Sequence, residues 1–325
     1  MSTSTSYAFW ITGPEQGEIR ETTLPPLESG TLQVRALYSG ISRGTESLVW
    51  RGQVPGSQHL AMRAPFQEGE FPAPVKYGYC NVGVVEDGPA DWIGQRVFCL
   101  YPHQTRYRVP IEAVHPLPEG LDPANAVLAA NTETAINATW DAGPMVGERI
   151  AVIGAGVVGA LTAALCTRIP GVEVQLVDVN LERGALAEAL GVPFATPESA
   201  RGELDRIIHA SGHGEGLRLA LSLAAMEATV VELSWFGSRE PTVPLGEDFH
   251  ARRLTLRSSQ VGSLNPLMRP RWDHRRRLNL ALQLLTRHPE WAALVDAESD
   301  FPSLPATMPS IAGGSGLCHR IRYQE

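Results

Sequence analysis

The sequence predicts an α/β protein, a doubly wound parallel sheet preceded by a separate β-rich domain. Three observations predict it. Short apolar runs of period two, broken by Gly and Pro, fill the first ~120 residues. From about residue 149 onward, strand-like and helix-like patterns alternate. A glycine-rich turn, GAGVVG at 154–159, joins the first of those strands to the first of those helices.

The elements follow in order. TLQVRALYSG, NVGVVED, QRVFCLY and YRVP read as strands. At LPEGLDPANAVLAANTETAINATW the pattern turns helical, with Asp122-Pro123 as its start, because proline in the first turn loses no hydrogen bond. A strand at Arg149–Ile153 leads into a helix at about Val157–Ile169, and one at Glu173–Val177 into a helix at about Asn180–Leu190. A short strand lies near Val192–Ala195. Asp205–His209 then precedes a helix at about Glu215–Ala225, with strands at Ala228–Leu233 and Leu254–Ser258. Such alternation requires right-handed crossovers and a parallel sheet covered on both faces. After Gly262 the chain is irregular, then helical over Asp273–Thr286, and it ends in a strand, CHRIRY. The domains expected are 1–121, 122–262 and a C-terminal segment, 263–325.

Composition narrows the classes. The 325 residues carry a net charge of −8, which disfavours a nucleic-acid partner, since that would want a basic surface. Cys80, Cys99, Cys166 and Cys318 form no CxxC pair, so a reducing cytoplasm is the expected compartment. MSTSTSYAFWITGPEQ has no basic region followed by an apolar one, so no secretory signal is expected. Residues 150–167 are uncharged and reach the ~18-residue length of a membrane span. Their glycine spacing is that of a buried strand–turn–helix, so no membrane partner is expected.

That turn is the first candidate site. Gly154 permits a tight turn, Gly156 lets backbone approach a pyrophosphate, and Gly159 lets helix pack on strand. With Ala155, Val157 and Val158 they form a Rossmann-type dinucleotide turn, whose helix N-terminus attracts phosphate. Asp178, 19 positions after Gly159, suits a ribose 2′-hydroxyl and repels a 2′-phosphate, which favours NAD(H) over NADP(H). Arg183 opposes this, since it can reach a phosphate or stack on adenine. Ser211 and Gly212 follow the strand at Asp205–His209 and leave room for the nicotinamide ribose, or simply form a turn.

With these motifs in place, the whole chain resembles the medium-chain dehydrogenase/reductase superfamily. GISRGTE at 40–46 resembles the segment where zinc-dependent members carry a catalytic Cys followed by Gly-Thr/Ser-Asp. YGYCNVGVV at 77–85 resembles their Gly-His-Glu-x-x-Gly-x-Val, and IGQRV at 93–97 their Gly-Asp-Arg-Val. The Ser-Arg-Gly-Thr-Glu version is similar to a subgroup that includes bacteriochlorophyllide dehydrogenases. The resemblance implies a GroES-like catalytic domain (1–121), a Rossmann domain (122–262), hydride transfer between them, and a C-terminal segment (263–325) that completes the catalytic domain. It also implies a homo-oligomer, such as a homodimer.

The departures from the family are chemical. A catalytic zinc needs about three ligands of Cys, His or carboxylate type. The Cys position holds Arg43, or Ser42 with one insertion, and the His position holds Tyr79. The Glu after it is Cys80, and the third ligand falls near Ala130. No zinc is therefore expected; an improvised site on Cys80, His103 or Glu46 is the rival. Without metal, Arg43 would be the fixed cation and Tyr79 the hydrogen-bond donor and general acid. Thr45 matches the family's proton-relaying hydroxyl, and Glu46 would orient Arg43 by a bidentate pair. Against this stand plainer roles: Arg43 bracing the loop, Tyr79 packed as an aromatic, Thr45 a turn residue and Cys80 a small buried one. His103 and His115 read as ordinary loop histidines.

An aromatic or anionic small molecule is the expected partner. Trp50, Phe66, Phe71, Tyr77, Tyr101 and Tyr107, with Lys76, Arg106 and Arg108 among them, either line a cleft for it or form core. The basic run PRWDHRRRL at 270–278 reads as the solvated face of a helix. The function expected is an NAD(H)-dependent alcohol dehydrogenase or ketoreductase. An enone or quinone reductase, or a non-catalytic NAD(H)-binding protein, are the alternatives.

Overall fold

The computed structural model describes residues 5–324. Two compact units emerge. One runs to Ala130 and includes Leu282–His288 and the chain from Val295 on; the other is Asn131–Ala281 with Pro289–Leu294.

The first unit opens with strands β1 (Thr5–Gly13), β2 (Gln16–Thr23) and β3 (Thr31–Ile41), then helix α1 (Arg43–Trp50). It continues with β4 (Glu68–Gly69), β5 (Val75–Lys76), β6 (Asn81–Asp87), β7 (Arg96–Cys99), β8 (Arg106–Pro110) and β9 (Val114–Pro116). Alternation decides which face is buried: along β8, Tyr107 and Val109 point into the core while Arg106 and Arg108 face outward. The segment GISRGTE is not a loop, as its bracing role for Arg43 assumed. It is the end of β3 and the first turn of α1.

The second unit contains α2 (Ala129–Ala142), β10 (Arg149–Ile153), α3 (Val157–Cys166), β11 (Glu173–Val177), α4 (Arg183–Ala189) and β12 (Phe194–Ala195). It continues through β13 (Leu204–His209), α5 (Gly214–Leu223), β14 (Ala224–Glu232), α6 (Asp248–Ala251), β15 (Thr255–Ser258) and the first half of α7 (His274–Arg287). Its six strands are parallel, in the order β12-β11-β10-β13-β14-β15. Ile150–Ile153 are all buried, as a central strand covered on both faces demands. The order reverses between β10 and β13, which creates a crevice at their carboxyl ends. Thus residues 150–167 resolve into a strand, a glycine turn and a helix, and no helix of the described residues is long and apolar enough to cross a membrane.

Three expectations shift. The helix does not start at Asp122-Pro123. Asp122 Oδ1 accepts the Ala124 N–H, an Asx-type turn that competes with helix, and α2 begins at Ala129. The 270–278 run is not wholly solvated. Arg277 is 1% exposed and donates to Glu133 and Asn137 of α2 and to the Val261 carbonyl. That anchoring keeps residues 263–281 with the second unit. Only the later segment joins the first unit, as β16 (Val295–Asp300), α8 (Leu304–Gly313) and β17 (Cys318–Arg322). There β17 pairs antiparallel with β3, His319 opposite Ile41.

Candidate functional site

The glycine turn leaves β10 at the reversal point. Gly154 has φ +104, and a Cβ there would stand 2.6 Å from the Ser211 backbone. A Cβ on Gly159 would stand 1.9 Å from the Gly154 carbonyl oxygen, so α3 packs on the turn only because position 159 has no side chain. Gly156, the N-cap of α3, is different: a Cβ there meets nothing within 4 Å. The space is open, at the positive end of a helix whose first residues are Val157 and Val158. A dinucleotide pyrophosphate fits this cradle.

Asp178 follows β11 directly. Its Oδ2 accepts the Ala155 N–H at 2.7 Å, and its Oδ1 the Asn180 N–H at 2.8 Å. The carboxylate therefore holds the turn and stands beside it, with lone pairs remaining for a ribose hydroxyl. Arg183 is the first residue of α4 and is partly buried. Ser211 and Gly212 lie beside Gly154, across the switch point. Ser211 Oγ is 2.6 Å from His209 Nε2, and the Gly212 N–H donates to Ser234 Oγ at 3.0 Å.

A second polar cluster lies in the first unit. The Tyr79 hydroxyl is hydrogen-bonded by the side chains of Ser42 and Thr45. Burial pushes its pKa well above the ordinary phenol range; Cys80 and Glu46 add to this, and the Ser42 and Thr45 hydrogen bonds oppose it. Glu46 is 4% exposed. Its Oε1 accepts the Ser42 N–H at 2.8 Å, tying the first turn of α1 back on itself. Its Oε2 lies 2.8 Å from His103 Nε2. His103 Nδ1 lies 2.7 Å from Ser39 Oγ, which lies 2.9 Å from the Tyr323 hydroxyl. Glu46, His103, Ser39 and Tyr323 are all buried, so the chain of bonds is shielded from water.

This corrects two expectations. Glu46 does not orient Arg43: α1 turns Glu46 inward to Ser42 and His103, while Arg43 Nη1 donates to the Gly314 carbonyl at 2.9 Å. His103 is no ordinary loop histidine but the centre of the buried chain. Nothing in its local sequence marked it, because its partners lie 57 and 64 positions away.

The residues present do not fit zinc. The family positions hold Arg43 or Ser42, Tyr79 and the buried Ala130. The rival set fails too, since both His103 nitrogens and both Glu46 oxygens are engaged, and burial pushes the Cys80 thiol far up. Among the described residues no group of three or more His, Cys, Asp or Glu is placed to hold a metal. The aromatics are mostly core. Trp50, Phe71, Tyr77, Tyr101 and Tyr107 are buried, Lys76 turns to Glu68 and Gln104, and Arg106 pairs with Glu86; only Phe66 is exposed.

Comparison with known proteins adds the following. No family model matches the chain. An L-threonine 3-dehydrogenase of Edwardsiella ictaluri (strain 93-146) is 36% identical over 80 residues, which cover 25% of this chain and 23% of that one. The match thus spans about a quarter of the curated relative's length. An Escherichia coli CFT073 alcohol dehydrogenase (rspB) solved with NADH superposes with a TM-score of 0.77 at 18% identity, covering 98% of this chain and 99% of the other. S. aureus TarJ, solved with NADPH, gives 0.75 at 13% identity, covering 99% and 100%. The chain shares the fold of these solved structures, a Rossmann-type parallel sheet with a separate β-rich unit. One of these structures holds NADH and the other NADPH.

Proposed function

We propose that the protein is an NAD(H)-dependent oxidoreductase acting on an alcohol/carbonyl substrate without catalytic zinc. The observation that carries this is the glycine turn: of its three glycines, Gly156 alone has open space around it, and it is the one that must admit a pyrophosphate. Asp178 beside it favours NAD(H), since a 2′-phosphate would meet its charge.

NAD(H), when bound, supplies or takes up the hydride. The first unit's residues handle the proton. Tyr79 carries a hydroxyl that, like any phenol, is protonated at neutral pH, so it offers a donor to a carbonyl oxygen that gains negative charge. Ser42 and Thr45 stand at the same oxygen and would stabilise it if its proton left. Glu46 and His103 fix the turn that carries Ser42 and Thr45. In this reading Arg43 braces α1 through Gly314 and is not the charge-stabilising cation. The likeness of Ser42–Glu46 to the bacteriochlorophyllide dehydrogenase subgroup, a cytoplasmic setting and a homo-oligomer belong to the same reading.

A second reading is an enone or quinone reductase. It is favoured by the same absence of fit to zinc, because conjugate reduction needs less carbonyl polarisation. Oxidation of NADH and NADPH is to be measured against a ketone panel and an enone panel, with metal content determined in parallel. NADH-dependent ketone turnover by metal-free protein is the expected result. One tightly bound zinc per chain, or NADPH-only turnover of enones, overturns it.

A further inference from the structure

The carboxyl ends of β13 and β14 carry three side chains that the reading above leaves unused. His209 and Glu232 are register partners at those ends. Glu232 Oε2 lies 2.7 Å from His209 Nδ1, and His209 Nε2 lies 2.6 Å from Ser211 Oγ. His209 is fully buried, with the Phe236 ring stacked beside it. The other Glu232 oxygen accepts the Ser234 N–H at 2.7 Å, and Ser234 Oγ accepts the Gly212 N–H. One carboxylate thus holds the Ser211–His213 turn twice, through His209 to Ser211 and through Ser234 to Gly212.

Acid, imidazole and hydroxyl stand in the order of a nucleophilic triad. The surroundings exclude that role. Ser211 Oγ already accepts the His213 N–H at 3.2 Å. A Cβ on Gly216 would stand 2.4 Å from Ser211 Oγ and 2.6 Å from His209 Nε2, so the backbone of α5 covers the pair where an acyl carbon would have to approach. The chain is built to hold a backbone in place. With Glu232 accepting the Nδ1 proton, Nε2 is left to accept from Ser211, and that tautomer satisfies every partner.

What it holds sits opposite the glycine turn. The sheet order β11-β10-β13 puts Asp178 on one side of Gly154 and the Ser211–His213 turn on the other. A dinucleotide whose pyrophosphate lies at Gly156 and whose adenosine ribose meets Asp178 must run its other half toward that turn. We propose that Glu232 and His209 are positioning residues that fix the Ser211–His213 turn as the contact for the nicotinamide half of the cofactor. This rests on the cofactor reading above.

The test uses the full chain and two probes. NADH carries both halves of the ligand, whereas ADP carries only adenosine and pyrophosphate. Affinities are measured by calorimetry for wild type, His209→Phe, Ser211→Ala and Glu232→Gln. His209→Phe keeps a ring in the buried site and removes both bonds, and Glu232→Gln keeps an oxygen that accepts from Nδ1. NADH affinity should fall about tenfold in His209→Phe and Ser211→Ala, the scale of one lost buried hydrogen bond. Affinity for ADP should stay within about twofold in all three variants, and Glu232→Gln, which keeps one of the two acceptor oxygens, should lose less NADH affinity than His209→Phe. If His209→Phe does not fold, Ser211→Ala and Glu232→Gln decide. Unchanged NADH affinity, or equal loss for both probes, overturns the proposal. If wild type binds neither probe, the cofactor reading itself has failed.

Discussion

Gly156 and Gly159 stand three residues apart in one motif, yet the structure gives them opposite roles, and alanine at each should separate folding from binding. At Gly159 a methyl group would lie 1.9 Å from the Gly154 carbonyl oxygen. That is more than an ångström inside contact distance, against backbone that cannot swing away. Alanine in a helix gains about 1 kcal/mol over glycine. Overpacking against fixed backbone costs about 3 kcal/mol or more, so a net loss of about 2 kcal/mol is the least expected. For a unit of this size that lowers Tm by roughly 4–8 °C. At Gly156 the methyl meets nothing within 4 Å, and φ −74 is ordinary for any residue. Gly156→Ala should therefore change Tm little, since the stiffer unfolded chain offsets the poorer N-cap. Its Cβ would occupy the space for the pyrophosphate, so NADH affinity should fall at least about tenfold. Thermal unfolding without ligand, with NADH titration, tests both. A Gly156→Ala variant that binds NADH normally would refute the assignment of that space to phosphate.

Further outcomes follow from the same geometry. Asp178→Ala removes the acceptor of the Ala155 N–H along with the charge; NADH affinity should drop about tenfold and the preference over NADPH should narrow, and an unchanged ratio of dissociation constants argues against Asp178 as the discriminator. Tyr79→Phe should lower the rate of carbonyl reduction about 100-fold with NADH affinity preserved; near-normal turnover removes Tyr79 from the chemistry. Burial also holds Tyr77, Tyr79, Tyr101, Tyr107 and Tyr323 above the ordinary phenol range. The folded chain then keeps protons that the unfolded chain releases above pH ~10. Stability is full below that pH and falls above it, by up to about 1.4 kcal/mol per pH unit for each tyrosine; a Tm that is flat from pH 9 to 11 contradicts the burial of these rings.

The second unit was legible because its signals are local. A strand, three glycines, a helix and an acid at the next strand end all lie within 149–178, and each is a backbone or short-range demand. The first unit was harder. Arg43, Thr45 and Glu46 were found by motif, but their directions were not, since α1 was read as a loop and the helix turns Glu46 inward. Ser39, His103 and Tyr323 are joined only by tertiary structure, with Tyr323 lying 284 positions from Ser39. No periodicity or spacing encodes such a pair. Arg277 was lost in a run of arginines, because a sequence does not say which of several adjacent cations meets a buried carboxylate. Glu232 and His209 were missed for the reverse reason: both lie inside predicted strands, where polar residues read as interruptions.

The state of Tyr79 bears on which chemistry the first unit supports. A phenol is a donor at neutral pH in any setting, so raising its pKa does not make it a better donor but a more reluctant acid. Burial and the Glu46 charge push that way, and the hydroxyls of Ser42 and Thr45 push back by stabilising the phenolate. Their opposition leaves a group suited to holding a carbonyl oxygen by hydrogen bonds, with the proton passing late. For a saturated ketone that late transfer still has to occur on the oxygen. For a conjugated one the oxygen needs only transient stabilisation, and the proton can arrive at carbon from elsewhere. If Tyr79 serves as proposed, the loss caused by Tyr79→Phe should be larger for ketones than for enones, and the ratio of the two losses separates the two reactions.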